Sequence, residues 1–270
     1  MTNELRVLLD VPFYTAPTHQ GQRTLVIDLW LPLGQAKPCP TVIYIHGGAW
    51  AAGLHYPPPM YPRFWEQGIA IAAITYRFSQ EAIFPACLHD CKTAVRWLRA
   101  HAAEYNLDPT RLAAWGMSAG GHLASLLGDT NGLAEFEGDG PYQEQSSQVQ
   151  AVVDFCGPED MERIFEDEQP GLGVPEVVVP LLGASWPENR AQARLASPIQ
   201  HVRPGLPPHL LVYGDADMIV PLWHGKAYQE KLLAAGVDSE LVILPGAGHE
   251  LNDPAAPQAV DRFIHRVFRG

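Results

Sequence analysis

A serine hydroxyl becomes a working nucleophile when an imidazole takes its proton and a carboxylate holds that imidazole in one tautomer. Four short stretches of this 270-residue chain carry such groups. Gly116-Met117-Ser118-Ala119-Gly120 fits the Gly-x-Ser-x-Gly nucleophile elbow, whose small flanking residues let the chain turn sharply and present Oγ. Asp217 lies in Tyr213-Gly214-Asp215-Ala216-Asp217 after one apolar run, and His249 lies in Gly246-Ala247-Gly248-His249-Glu250 after the next. The order Ser118, Asp217, His249 is the one that such an elbow predicts. Asp215 competes for the acid role, and we prefer Asp217, with Asp215 bonding its own turn. Of eleven histidines, His249 alone occupies a glycine-rich loop after the last apolar run, while His122 and His89 read as packing or capping residues.

The fourth stretch is His46-Gly47-Gly48-Ala49-Trp50. Attack on a carbonyl produces a tetrahedral oxyanion that needs fixed N–H donors, and a glycine-rich turn lets backbone approach it closely. The N–H groups of Gly48, Ala49 and Ala119 are the candidate oxyanion hole. The following residues include Trp50, Tyr56 and the run Pro57-Pro58-Pro59. A rigid proline run flanked by aromatics suits an acyl or sugar-ring contact, making Trp50 and Tyr56 candidate substrate-binding residues; a stiff surface loop is the alternative.

Elements that deliver residues in this way alternate strand and helix. Residues 24–31 alternate as an early, antiparallel strand, and 41–45, 68–75, 112–115, 149–155, 209–213 and 239–244 are short apolar runs of the buried parallel type. Residues 86–102, 222–235 and 257–267 read as helices, with Arg96 and Arg99 expected to face outward, and a further helix begins near Ser118. The pattern predicts an α/β fold: one mostly parallel sheet with helices on both faces, forming a single domain over 1–270. Two stretches interrupt it. Residues 129–148 are polar and are expected on the edge away from the site. Residues 158–187 leave a strand at the edge where ligands bind and are the candidate cap insertion.

Composition narrows the function. A net charge of −12, with 18 Lys and Arg against 30 Asp and Glu, argues against nucleic acid. No apolar run spans a bilayer and Met1 to Asp10 lacks a signal-peptide pattern, so a cytoplasmic location is expected, without a membrane partner. Cys39, Cys87, Cys91 and Cys156 carry no metal or disulfide spacing and read as reduced thiols. No phosphate loop, dinucleotide fingerprint or metal cluster is visible in the motifs, so no cofactor is expected.

The set His46-Gly47-Gly48-Ala49-Trp50, Tyr76-Arg77, Phe84-Pro85-Ala86, Asp90, Gly116-Met117-Ser118-Ala119-Gly120-Gly121-His122, Gly157-Pro158, Asp160, Ser197-Pro198-Ile199 and Gly246-Ala247-Gly248-His249 resembles the α/β-hydrolase esterases. Within them it is similar to the acetyl-xylan/feruloyl esterase-like group, neighbours of the hormone-sensitive-lipase-type carboxylesterases. The resemblance covers roughly residues 20–265 and implies the α/β-hydrolase fold, the triad and a serine carboxylesterase that forms an acyl-enzyme on Ser118. Met117 stands where many relatives have an acidic residue, which makes the nucleophile's surroundings less polar and narrows the pocket; it joins the candidate substrate-binding residues. Small soluble esters (acetyl, short acyl or feruloyl) are the expected substrates, with a monomer or homodimer as the assembly. An amidase, arylformamidase or small peptidase using the same triad is the second reading, and a non-catalytic binding protein on this scaffold is the third.

The acidic charge is concentrated. Residues 135–168 hold eleven acids and one base, Arg163. Glu135, Glu137, Asp139 and Glu144 are expected on the far face, serving solubility. The acids of 159–168 are expected at the catalytic edge, where their field disfavours anionic substrates and leaves neutral or cationic esters.

Overall fold

Eight strands form one sheet in the order β1-β2-β4-β3-β5-β6-β7-β8 in a computed structural model that describes residues 4–55, 62–166, 171, 173–184 and 188–269. In chain order the elements are β1 (Leu5–Thr18), β2 (Gly21–Pro32), β3 (Cys39–Ile45), α1 (Pro62–Glu66), β4 (Ala70–Ile74), α2 (Ala86–Ala100), β5 (Leu107–Met117), α3 (Ala119–Asp129), β6 (Ala151–Phe155), α4 (Val174–Leu182), α5 (Arg190–Leu195), β7 (His209–Gly214), α6 (Trp223–Ala234), β8 (Ser239–Leu244) and α7 (Ala255–Arg269). From β4 through β3 to β8 every pairing is parallel, whereas β1 and β2 are antiparallel to their neighbours. This is the mostly parallel sheet expected from the alternating pattern and the α/β-hydrolase arrangement that the resemblance implies.

The inner strands are apolar on both sides because helices cover both faces. Ile43, Ile45, Ala72 and Ala114 pack on the side of α2 and α3 with Leu88, Val95, Leu123 and Leu127. Val42, Tyr44, Trp115 and Val153 pack on the other side with Tyr228, Val260 and Phe263 of α6 and α7. All four cysteines are free and buried. Among the described residues no helix is long and apolar enough to cross a membrane.

The sequence reading missed β1. Its burial pattern is irregular, it contains Pro12 and Pro17, and its pairing with β2 shifts register between Leu8 and Val11 and again between Pro12 and Tyr14. Prolines and bulges are tolerated there because an edge strand has one side without a partner to donate to.

Two charge expectations are corrected. Arg96 does not face outward; it is 1% exposed and its Nη1 meets Glu137 at 2.8 Å. Glu137 is accordingly not a solubilising surface acid, since it also takes a bond from the buried Lys92 Nζ at 2.9 Å. Burial acts to raise the Glu137 carboxyl, but the Lys92 and Arg96 charges and the Ser147 hydroxyl outweigh it and hold the group below its ordinary range. Arg99 does reach toward the surface, donating to the carbonyls of Ser146 and Gln148. Residues 129–148 are thus a strap fastened across α2.

Candidate active site

The turn at Ser118 follows from its neighbours. The serine adopts φ 57° and ψ −124°, between the end of β5 and the start of α3. A Cβ on Gly116 would stand 2.0 Å from the Gly120 carbonyl oxygen, and one on Gly120 would stand 2.0 Å from that of Ile45. Only glycine fits either place. Ser118 N–H donates to Phe155 O at 2.7 Å, so the strained residue is pinned to β6.

The residues named from three separate motifs meet here. Ser118 Oγ lies 2.9 Å from His249 Nε2, and His249 Nδ1 lies 2.8 Å from Asp217 Oδ2. The other carboxylate oxygen of Asp217 accepts the N–H groups of Ile219 at 2.8 Å and Val220 at 3.0 Å. With Nδ1–H committed to the carboxylate, Nε2 is left to accept the serine proton. Asp215 instead accepts the Gly246 N–H at 2.6 Å, tying the Asp217 loop to the His249 loop. Cys156, at φ 43°, donates its thiol to the His249 carbonyl at 3.5 Å from the strand side.

The His46–Trp50 turn lies against the elbow. A Cβ on Gly47 would come 2.8 Å from the Met117 carbonyl oxygen, so the two turns touch through backbone. Gly48, Ala49 and Trp50 all have positive φ, at 110°, 54° and 55°. The Gly48 carbonyl is turned away to accept the N–H groups of Ala51 and Ala52, both at 3.0 Å. Two buried histidines brace this turn. His122 Nδ1 accepts the Trp50 indole N–H at 3.1 Å while its Nε2 donates to Ala196 O at 2.7 Å, and His46 stacks on Tyr76 at 4.4 Å. Burial drives both imidazoles down to about 4, so both are neutral at physiological pH.

A cavity of about 150 Å³ opens over Ser118. Ala49 and Trp50 wall it from the His46–Trp50 turn, Ile219 and Val220 from the Asp217 loop, and Pro158, Gly173 and Val177 from the 158–187 stretch. The sequence reading singled out none of the last five as substrate residues, although Pro158, Gly173 and Val177 fall in the expected cap stretch, whose apolar segment 174–182 forms α4. Of the candidate substrate residues, Trp50 lines the cavity, Met117 is not among its lining residues and packs on the Trp115 side of the sheet, and Tyr56 and Pro57-Pro58-Pro59 lie outside the described residues.

Among the described residues the expected acidic field at this edge is reduced. Glu159 is fully buried, and burial together with the Asp154 charge pushes its carboxyl well above the usual range, which leaves it protonated. Glu162 and Glu166 both pair with Arg190. Asp167 and Glu168 lie outside the described residues.

The chain is similar to known proteins over most of its length. The BD-FAE family model matches residues 27–232. Esterase LipC of Mycobacterium tuberculosis is 32% identical over 90% of this chain and 62% of its own length, and carboxylesterase NlhH of the same organism is 30% identical over 93% and 80%. The chain spans about three fifths of the length of the first of these. Among solved structures, a truncated carbohydrate esterase from gut microbiota superposes with a TM-score of 0.87 at 28% identity over 100% of this chain and 98% of that one. Thermogutta terrifontis Est2 with bound butyrate gives 0.77 at 26% identity, over 98% and 94%. The chain therefore belongs to the BD-FAE family, within the α/β-hydrolase esterases.

Proposed function

We propose that the protein is a serine carboxylesterase that hydrolyses short-chain, neutral carboxylic esters through an acyl-enzyme on Ser118. The observation that carries this reading is the line of hydrogen bonds from Asp217 through His249 to a serine Oγ that opens into an apolar cavity. As Oγ attacks the acyl carbon, His249 Nε2 takes its proton and Asp217 stabilises the resulting imidazolium. The carbonyl oxygen gains charge beside the N–H groups of Ala119, Gly48 and Ala49, which the positive-φ turn holds in place before reaction. Collapse expels the alcohol, which carries away the proton from His249. Water then enters, His249 takes its proton, and the second tetrahedral species collapses to the carboxylic acid and free Ser118.

The 158–187 stretch acts as a cap in this reading, with Val177 closing the far end of the acyl pocket. An apolar wall of this size favours an acyl chain of a few carbons over a feruloyl group, and it disfavours a charged acyl group through desolvation rather than through the acidic run. The relatives' names, esterase and carboxylesterase, support the bond type.

The test is turnover of p-nitrophenyl acetate, butyrate, octanoate and feruloyl esters, with matched anilides beside them. The expected result is highest kcat/KM on the short acyl esters, and a butyryl adduct on the Ser118 peptide when the reaction is quenched early. Faster turnover of the anilides would move the protein to the amidase class, and an adduct on any other residue would remove Ser118 as nucleophile.

A further inference from the structure

We propose that Asp10, Asp28 and His55 form a site for a divalent cation of the zinc class, placed beside the oxyanion turn and outside the catalytic cavity. Asp28 sits on β2 with its side chain 2% exposed. Its Oδ1 accepts the Asp10 N–H at 2.6 Å, and its Oδ2 stands 3.3 Å from His55 Nε2. Asp10 lies at the bulge of β1, where its Oδ1 stands 3.5 Å from the same Nε2 and its side chain is 75% exposed. One ligand atom from each residue falls within 4.8 Å of the others.

Around a tetrahedral zinc ion with bonds of about 2.0–2.1 Å, neighbouring ligand atoms stand about 3.3–3.4 Å apart. The two oxygen-to-nitrogen separations already match that edge, and the open side at Asp10 leaves room for water as a further ligand. One imidazole nitrogen with two carboxylates suits zinc-class ions, whereas calcium needs about six to eight oxygens.

Charge gives a second, independent reason. Two carboxylates converge on one imidazole, and among the described residues neither is ion-paired with a lysine or arginine. The two carboxylates bring two negative charges together, one of them on the buried Asp28. A divalent ion balances both. His55 follows the turn whose Ala51 and Ala52 bond back to Gly48, so the ion would tie that loop to the β1–β2 hairpin. No local spacing motif marks the site, because each ligand comes from a different element.

The test is calorimetric titration of chelator-treated full chain with Zn²⁺, with Ca²⁺ in parallel, for the unsubstituted protein and for Asp28→Asn, His55→Ala and His249→Ala. The last variant addresses the competing group Cys156, Asp217 and His249, whose ligand atoms also lie within 4.8 Å of one another. One zinc equivalent should bind, and a thermal midpoint raised by zinc should accompany it. Asp28→Asn and His55→Ala should weaken binding by at least about tenfold, and His249→Ala should retain it. His55→Ala, on a loop, carries the test if the buried Asp28→Asn fails to fold by circular dichroism. No zinc binding by the unsubstituted protein, equal binding in every variant, loss only in His249→Ala, or calcium binding as tight as zinc would each overturn the proposal.

Discussion

Two polar constellations lie a few residues apart, one partly open and one buried, and they contain the same residue types. One is Ser118, His249 and Asp217. The other joins Asp154, Glu159, Ser125, Asp129, His209, Tyr213 and Tyr228 beneath it, all without exposed surface. In the second, Ser125 donates to Glu159 Oε1 at 3.1 Å, Tyr228 donates to Asp129 at 2.7 Å, and His209 Nε2 lies 3.2 Å from Asp129. The Tyr213 hydroxyl stands 2.6 Å from both Asp154 Oδ2 and the Gly157 carbonyl. Here the serine faces a carboxylate and the histidine faces no hydroxyl nucleophile, so no path moves a proton from serine to imidazole. The cavity over Ser118 does not include Ser125 among its lining residues. Residue type is therefore a poor guide to chemistry; the sequence of donors and access to substrate separate a site from a structural network.

Desolvation separates them too. Burial raises the Asp154 carboxyl to about 6 and Glu159 well above its usual range, so the lower network is held together by protonated or shared acids. Asp217 is equally inaccessible as a side chain, but its partners are two backbone N–H groups and an imidazole rather than other acids.

The sharpest way to break this contrast is to remove each serine. Ser118→Ala should lower kcat by roughly 10⁵- to 10⁶-fold with an unchanged melting temperature. Ser125→Ala should leave kcat within about threefold and cost about 1–3 kcal/mol of stability in urea unfolding, because Glu159 loses its donor. A large kcat loss in Ser125→Ala would join the networks functionally. Next in size, Asp217→Asn should lower kcat by about 10⁴-fold by favouring the wrong tautomer of His249, whereas Asp215→Asn, one turn away, should cost less than about tenfold. Equal losses at the two positions would reverse the assignment of the acid.

Tyr213→Phe tests the lower network alone. It strips Asp154 of its hydroxyl donor and should destabilise by about 1–3 kcal/mol, leaving KM for a short ester unchanged. The last effect, one of pH dependence, concerns His122. Its folded value of about 4 lies below the ordinary 6.5, so the unfolded chain takes up the proton first and stability is lost as pH falls through that window. His122→Gln, which has no such proton to bind, should therefore show a stability deficit that shrinks by about 2 kcal/mol between pH 7 and pH 5. A deficit independent of pH would mean that the imidazole is not held neutral.

Much of this was legible in the chain, for identifiable reasons. Ser118, Asp217 and His249 each sit in a turn that demands glycine or follows an apolar run, so local spacing marks them before any contact is known. Six of the seven expected strands were visible because helices cover both faces and leave them mostly apolar, and 24–31 because its residues alternate. β1 was hidden because an edge strand tolerates prolines and bulges that an inner strand does not. The outward placement of Arg96 failed because helical periodicity reports which face is apolar, and it does not foresee a strap bringing Glu137 across that face.

The sequence alone determined the alternation of strand and helix, the elbow glycines, and the order of Ser118, Asp217 and His249, since these depend on local sterics and hydrophobic period. Only the tertiary structure decided which aspartate meets His249, that Glu159 is buried and neutral, that Val177 and Val220 wall the cavity, and that Asp10, Asp28 and His55 converge. Each of these depends on contacts between residues far apart in the chain, whose distances and desolvation exist only once the sheet has formed.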